Sequence, residues 1–233
     1  EEVKAEFGAL ALEASYNEIA ETEQMLIDEG LPVSEIQNLC DVHVAVFRDG
    51  LDKQQQAAPD STPGHPIHSF LSENRILESL LEAMENTLIA YGREGNPQQL
   101  VTFQLQLAKL AEIDKHYLRK ENLLFPYLEG RGFTGPSKVM WSVHDQIRAR
   151  LKTLAELAAS KAPHEEITFR FQEVSAMLQE MIYKEEKILI PASIERLTDM
   201  EWYAIRRQEN GFGYFLFAPG DWKPEGLENS KPA

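Results

Sequence analysis

Apolar residues recur three and four positions apart along most of this chain, the spacing that gives an α-helix one buried face. In PVSEIQNLCDVHVAVFRDG, residues 32–50, Ile36, Leu39, Val42, Val46 and Phe47 share such a face behind Pro32 at the helix start. Upstream, Ser15 followed by Glu18 forms a capping box whose helix runs to about Asp28, ahead of Gly30. The pattern breaks in 52–66, which is rich in Gln, Ala, Pro, Ser and Gly and reads as a linker. Four long helices are predicted beyond it. The first runs from about Ile67 to Tyr91 and stops near Gly92. The second opens with Asn96 as N-cap and Pro97 in the first turn, and runs to about Glu129. The third follows Gly135-Pro136 and reaches about Ser160, and the fourth spans Pro163 to near Pro191. Short connections make neighbouring helices antiparallel. The expected fold is therefore all-α: an up-down four-helix bundle over 67–210, preceded by a small helical domain at 1–51. Thr198 and Glu201 cap a further short helix through about Glu209. The tail, 211–233, alternates glycine with aromatics in GFGYFLFAPGDW. It reads either as a strand-like flap on the bundle or as the start of a further connection.

Composition narrows the function. An apolar fraction of 43% is ordinary for a packed core. A net charge of -15, from 38 acids against 23 bases, repels phosphates and argues against non-specific nucleic-acid binding. Cys40 is the single cysteine, so no internal disulfide forms and a reducing, cytoplasmic setting is expected. No apolar run approaches the ~18 residues of a membrane span, and no signal-peptide pattern is present. Nucleophile elbow, P-loop, dinucleotide fingerprint and zinc-type cysteine pairs are all missing from the sequence.

The chemistry lies in two echoing stretches, HYLRKENLLFP at 116–126 and MIYKEEKILIP at 181–191, with Met181 standing where the first has His116. Either both are solvated charge runs on amphipathic helices, or they are two walls of a metal pocket. His68 sits early in the first bundle helix, His116 late in the second, His144 early in the third and Glu185 late in the fourth. Antiparallel packing places all four at one end of the bundle, where facing helices build metal sites. Imidazole with carboxylate suits iron or zinc, and manganese where carboxylates dominate. Each histidine by itself is more simply a hydrogen-bonded core residue. His164, among helix-opening residues, is expected to be exposed.

HYLRKENLLFP, WSVHDQIRARL at 141–151 and YKEEKILIPASIERLT at 183–198 resemble the bacterial hemerythrin-like (HHE cation-binding) domains. The segment IAETEQMLIDEGLPVSEIQNLCDVHVAVF resembles the helical domain of unknown function 438, and the joint GHPIHSFLSENR is similar to that combined architecture. The resemblance implies a four-helix bundle holding a non-haem iron centre that binds or senses oxygen, nitric oxide or redox state. It also marks departures. His116, His144 and Glu185 match the family's positions, but Asn74 and Met181 stand in histidine positions and Lys120 in a glutamate position. Glu121, five residues past His116, points about 140° away from it in an ideal helix. The two face one metal only across a π-bulge. Without a bulge, Lys120 faces the site, replaces the charge of a second metal and pairs with Glu185.

The candidate ligands are thus His68, His116, His144, Glu185, Glu121, His65 and His43, the last reaching in from the N-terminal helices. Glu73 beside Asn74 and Cys40 are further substitutes. A metal-binding sensor or regulatory module with non-haem iron is the leading expectation, with a diatomic gas as ligand and a protein partner or downstream sensor domain. The alternatives are a haem-binding sensor using His and Met, a di-iron redox or nitrosative-repair enzyme, and a metal-free interaction module.

Overall fold

The computed structural model describes residues 62–225, together with 25–26, 29–32 and 35. The expectations for the N-terminal helices, His43, Cys40 and most of the linker lie outside the described residues. Helix α1 (Pro66–Glu94) starts at His65, whose Nδ1 accepts the Ile67 N–H at 3.1 Å. It does not stop at Gly92. That glycine lies inside the helix because a Cβ there would come within 2.5 Å of the His164 ring. The helix ends at Gly95, whose φ of 61° is the left-handed cap glycine favours.

The second bundle helix begins with α2 (Pro97–Leu110), where the Asn96 side chain accepts the Gln98 N–H at 3.0 Å. It passes through a 3₁₀ turn (Ala111–Ile113), α3 (Asp114–Arg119), a π-helical turn (Lys120–Leu124) and α4 (Phe125–Glu129). Helix α5 (Gly135–Ser160) follows, then α6 (His164–Lys184), a second π-helical turn (Glu185–Leu189) and α7 (Ile190–Arg196). The fourth bundle helix therefore continues past Pro191 rather than ending there. Both π turns precede a proline by two residues, Pro126 and Pro191. Proline lacks an N–H and crowds the carbonyl four residues back, and a wider turn just ahead absorbs that mismatch within a continuous helix. The echo between the two stretches is thus an echo of backbone shape.

Helix α1 packs against α2 and α6, and α5 packs against α2 and α6, closing a ring of four antiparallel neighbours. Leu81, Met84 and Leu88 of α1, Phe103 and Leu107 of α2, Leu151 and Leu154 of α5, and Phe171 and Val174 of α6 fill the apolar part of the core. Phe103 meets Phe171 edge-on at 5.7 Å. At the other end, α8 (Asp199–Glu209) crosses the bundle, its capping box formed by Glu201 accepting the Thr198 N–H and hydroxyl. The described part of the tail, 211–225, packs on the bundle as irregular backbone, with no strand among those residues.

Truncating Phe103, fully buried, to alanine should cost about 3–5 kcal/mol in urea unfolding. Leu105→Ala, at a 63% exposed position on the same helix, should stay within about 0.5 kcal/mol.

Candidate metal centre

The bundle end crossed by α8 is polar inside. His116 of α3 lies between two carboxylates, with Nδ1 at 2.7 Å from Glu73 Oε2 and Nε2 at 3.0 Å from Glu185 Oε2. Ionised carboxylates only accept, so both contacts are hydrogen bonds when both ring nitrogens carry protons. His144 of α5 is 2.8 Å through Nδ1 from Glu121 Oε1. Its ring stacks on Tyr117 at 3.9 Å, and its Nε2 is buried without a partner. The Tyr117 hydroxyl is likewise buried and unpartnered.

Each carboxylate is matched by a cation. Lys120 donates to Glu185, and Arg119 donates to Glu73. Arg119 also reaches Glu209 at 3.1 Å, and Arg148 binds Glu121 at 2.9 Å. Burial by itself would raise the Glu185 carboxyl, but the Lys120 ammonium and His116, both hydrogen-bonded to it, hold it well below the usual carboxylate range. Burial, and then the nearby Lys120 charge, push His144 well below its ordinary value, so it stays neutral at pH 7.

The expected residues separate into two groups. His116, His144, Glu121 and Glu185 are all buried in this cluster. The π turn brings Glu121 inward to His144, yet Lys120 is inward as well, so what was expected with a bulge and what was expected without one both occur on one wide turn. His65 is outside the cluster. It caps α1, and its ring packs against Trp202 and Trp222. His68 makes no hydrogen bond to the cluster; its Nδ1 is unpartnered, and its ring lies 6.0 Å from Phe217. His164 is not fully exposed but bonds the Leu88 carbonyl at 2.9 Å. Asn74 donates to Glu186 at 3.2 Å, and Met181 is core. Glu73, named as a substitute, lies in the network, while Arg119, Arg148 and Glu209 were missed as parts of it. One signal was present: Arg119-Lys120-Glu121 is a run of three charges in a helix, sweeping about 200°, so it cannot all face solvent when apolar residues flank it.

The family model for the hemerythrin HHE cation binding domain matches residues 65–193, more than half of the chain. This chain belongs to the hemerythrin HHE cation-binding family. The model of a family of unknown function, DUF438, matches residues 1–53. No curated protein matches the chain. A hemerythrin-type domain holds a cation, and the residues here test that expectation. Among the described residues, no three His, Cys, Asp or Glu side chains already surround one point as ligands would. The donor chemistry nevertheless fits one cation. Both cluster imidazoles are held at Nδ1 by a carboxylate, the arrangement that orients metal-binding histidines through their other nitrogen. The Nε2 atoms left over face Glu185, for His116, or no partner at all, for His144. The Lys120 ammonium already pairs with Glu185, so a cation at this carboxylate would share it with that ammonium.

Lys120→Ala in this hemerythrin-type core leaves Glu185 buried with half its compensation and should destabilise the metal-free protein by about 3–5 kcal/mol in urea unfolding. His144 adds a pH dependence of known sign. Its folded value is depressed, so the unfolded chain binds the extra proton first as pH falls. Stability of the chelator-treated protein should fall with pH from about 6.5 downward, and His144→Phe should flatten that slope in pH-resolved unfolding.

Proposed function

We propose that this bundle is a single-cation hemerythrin-type module, with non-haem iron as its metal, that senses a diatomic gas or redox state and regulates a partner. His116 Nε2, His144 Nε2 and Glu185 would hold the ion, and Glu73 and Glu121 would orient the two imidazoles through Nδ1. The observation that carries this reading is the unpartnered, fully buried Nε2 of His144 beside a carboxylate-held Nδ1. Two imidazoles and one carboxylate form the donor set that suits ferrous iron with open positions. A bound iron would supply an open coordination position and a one-electron couple. The protein's own part is to keep water out, fix the rings and set the local charge. Lys120 competes with the ion for Glu185, so the site is weaker and less charged than a two-metal centre. These departures favour sensing over turnover.

A second reading has its own support: the cluster is closed by Lys120, Arg119 and Arg148 as an ionic core. It makes the chain an interaction module without metal.

Metal analysis with a UV-visible spectrum, aerobic and anaerobic, separates these readings. One equivalent of iron without a Soret band is the expected result. Two equivalents would restore a di-iron enzyme, a Soret band would move the assignment to haem, and no metal after anaerobic reconstitution would leave the ionic core. His116→Ala and His144→Ala should each abolish binding, and retention of full metal content by both would refute the assignment. Lys120→Met should tighten Fe²⁺ binding by about tenfold, roughly 1.4 kcal/mol, as the competing ammonium is removed.

A further inference from the structure

The imidazoles and carboxylates of the cluster are shut off from solvent, although Arg148, which binds Glu121, is 28% exposed on the α5 side. Glu73 and His144 are fully buried, and His116 and Glu185 are 1% and 2% exposed. Anything entering must displace something. Four bundle helices surround the cluster. Against its Glu73 and Arg119 lies the irregular segment after α8, residues 210–223, whose Phe215 is fully buried.

This segment hangs on the same atoms that orient His116. Glu73 Oε1 accepts the backbone N–H of Phe215 at 2.6 Å, while its Oε2 accepts from His116 and Arg119. The Arg119 guanidinium lies 4.4 Å over the Tyr214 ring, and the Tyr214 hydroxyl reaches Glu209 at 3.3 Å. Farther on, Gly220 passes so close to Gly64 that a Cβ on Gly64 would come within 2.5 Å of its carbonyl oxygen. Trp222 then meets His65 edge-on at 4.4 Å. The strap thus ends on the entry to α1, where the chain arrives from its N-terminal part. Leu216, next to Phe215, has φ of 51°, a left-handed conformation costly for a branched side chain. The anchor at Phe215 holds that strain.

We infer that residues 210–223 are a gate: Phe215 leaving Glu73 opens the buried cluster, and its return closes the cluster and fixes His116. For what passes through, this rests on the cation reading; the gate itself does not. Because one carboxylate serves both His116 and the strap, occupancy of the site and strap position are coupled, and the coupling is reciprocal. Strap movement carries the state of the site to the entry of α1.

The test uses the full chain, metal-free, as wild type, Phe215→Ala and Leu216→Gly. Diethylpyrocarbonate labelling of His144 and His116 is timed by peptide mass spectrometry, alongside hydrogen exchange of the 210–223 peptide. Phe215→Ala should speed both by on the order of tenfold. Leu216→Gly, which relieves the positive-φ cost, should slow both. Faster strap exchange with histidine labelling unchanged would overturn the gate. If α5 peptides also exchange faster in Phe215→Ala, the whole fold has loosened and Leu216→Gly decides: slower labelling supports the gate, and an unchanged rate overturns it. Zn²⁺ uptake followed by stopped flow separates the two proposals. Uptake rates that ignore both variants would overturn the gate. Absence of uptake with gated labelling would retire the cation reading and leave the gate standing.

Discussion

Burying carboxylates inside a helical bundle costs several kcal/mol per charge unless each is matched. Among the described residues, four are buried at one end of this one: Glu73, Glu121, Glu185 and Glu209. The positions of Arg119, Lys120 and Arg148 follow from that requirement, as does the shape of the helices carrying them. An ordinary α-helix would turn either Lys120 or Glu121 outward. The π turn keeps both inside, so that one helix supplies an ammonium to Glu185 and a carboxylate to His144. The matching turn at Glu185–Leu189 sits where the fourth helix delivers Glu185 to the same point.

Charge matching also decides what the site can be. A carboxylate on Nδ1 of each imidazole is the way a protein aims the opposite nitrogen, and that aim is compatible with one metal ion. In the proposed site, Lys120 would compete with the ion for Glu185, to which it donates. Under that proposal, the balance between an ammonium and a cation on one carboxylate would set the chain between a metal centre and a closed ionic core. Glu73 has the widest reach of the four carboxylates, because it joins the second helix, through His116 and Arg119, to the backbone of the tail.

Much of the bundle was legible in the sequence. The helix start at Asn96-Pro97 is set by local chemistry and stands where the pattern put it, and the third bundle helix starts at Gly135, two residues ahead of its expected start. The boundaries that shifted did so for tertiary reasons. Gly92 reads as a stop but serves the close approach of His164, and Pro191 reads as a stop but is accommodated by a π turn. Of the site, the buried His116, His144, Glu121 and Glu185 were visible as residue types at the right level. His65 caps α1 in this structure, and a helix-capping histidine and a ligand histidine look alike in sequence.

What the sequence determined by itself was the helical period, most of the caps, and the placement of imidazoles and carboxylates at one end of four antiparallel helices. These depend on neighbours within a turn or two. Which nitrogen of each histidine faces inward, which cation meets which carboxylate, and that a backbone amide from Phe215 closes the set were decided only by the tertiary structure. Those contacts join residues 23 to 142 positions apart. Their geometry depends on helix rotation and turn width, which a periodic pattern does not encode.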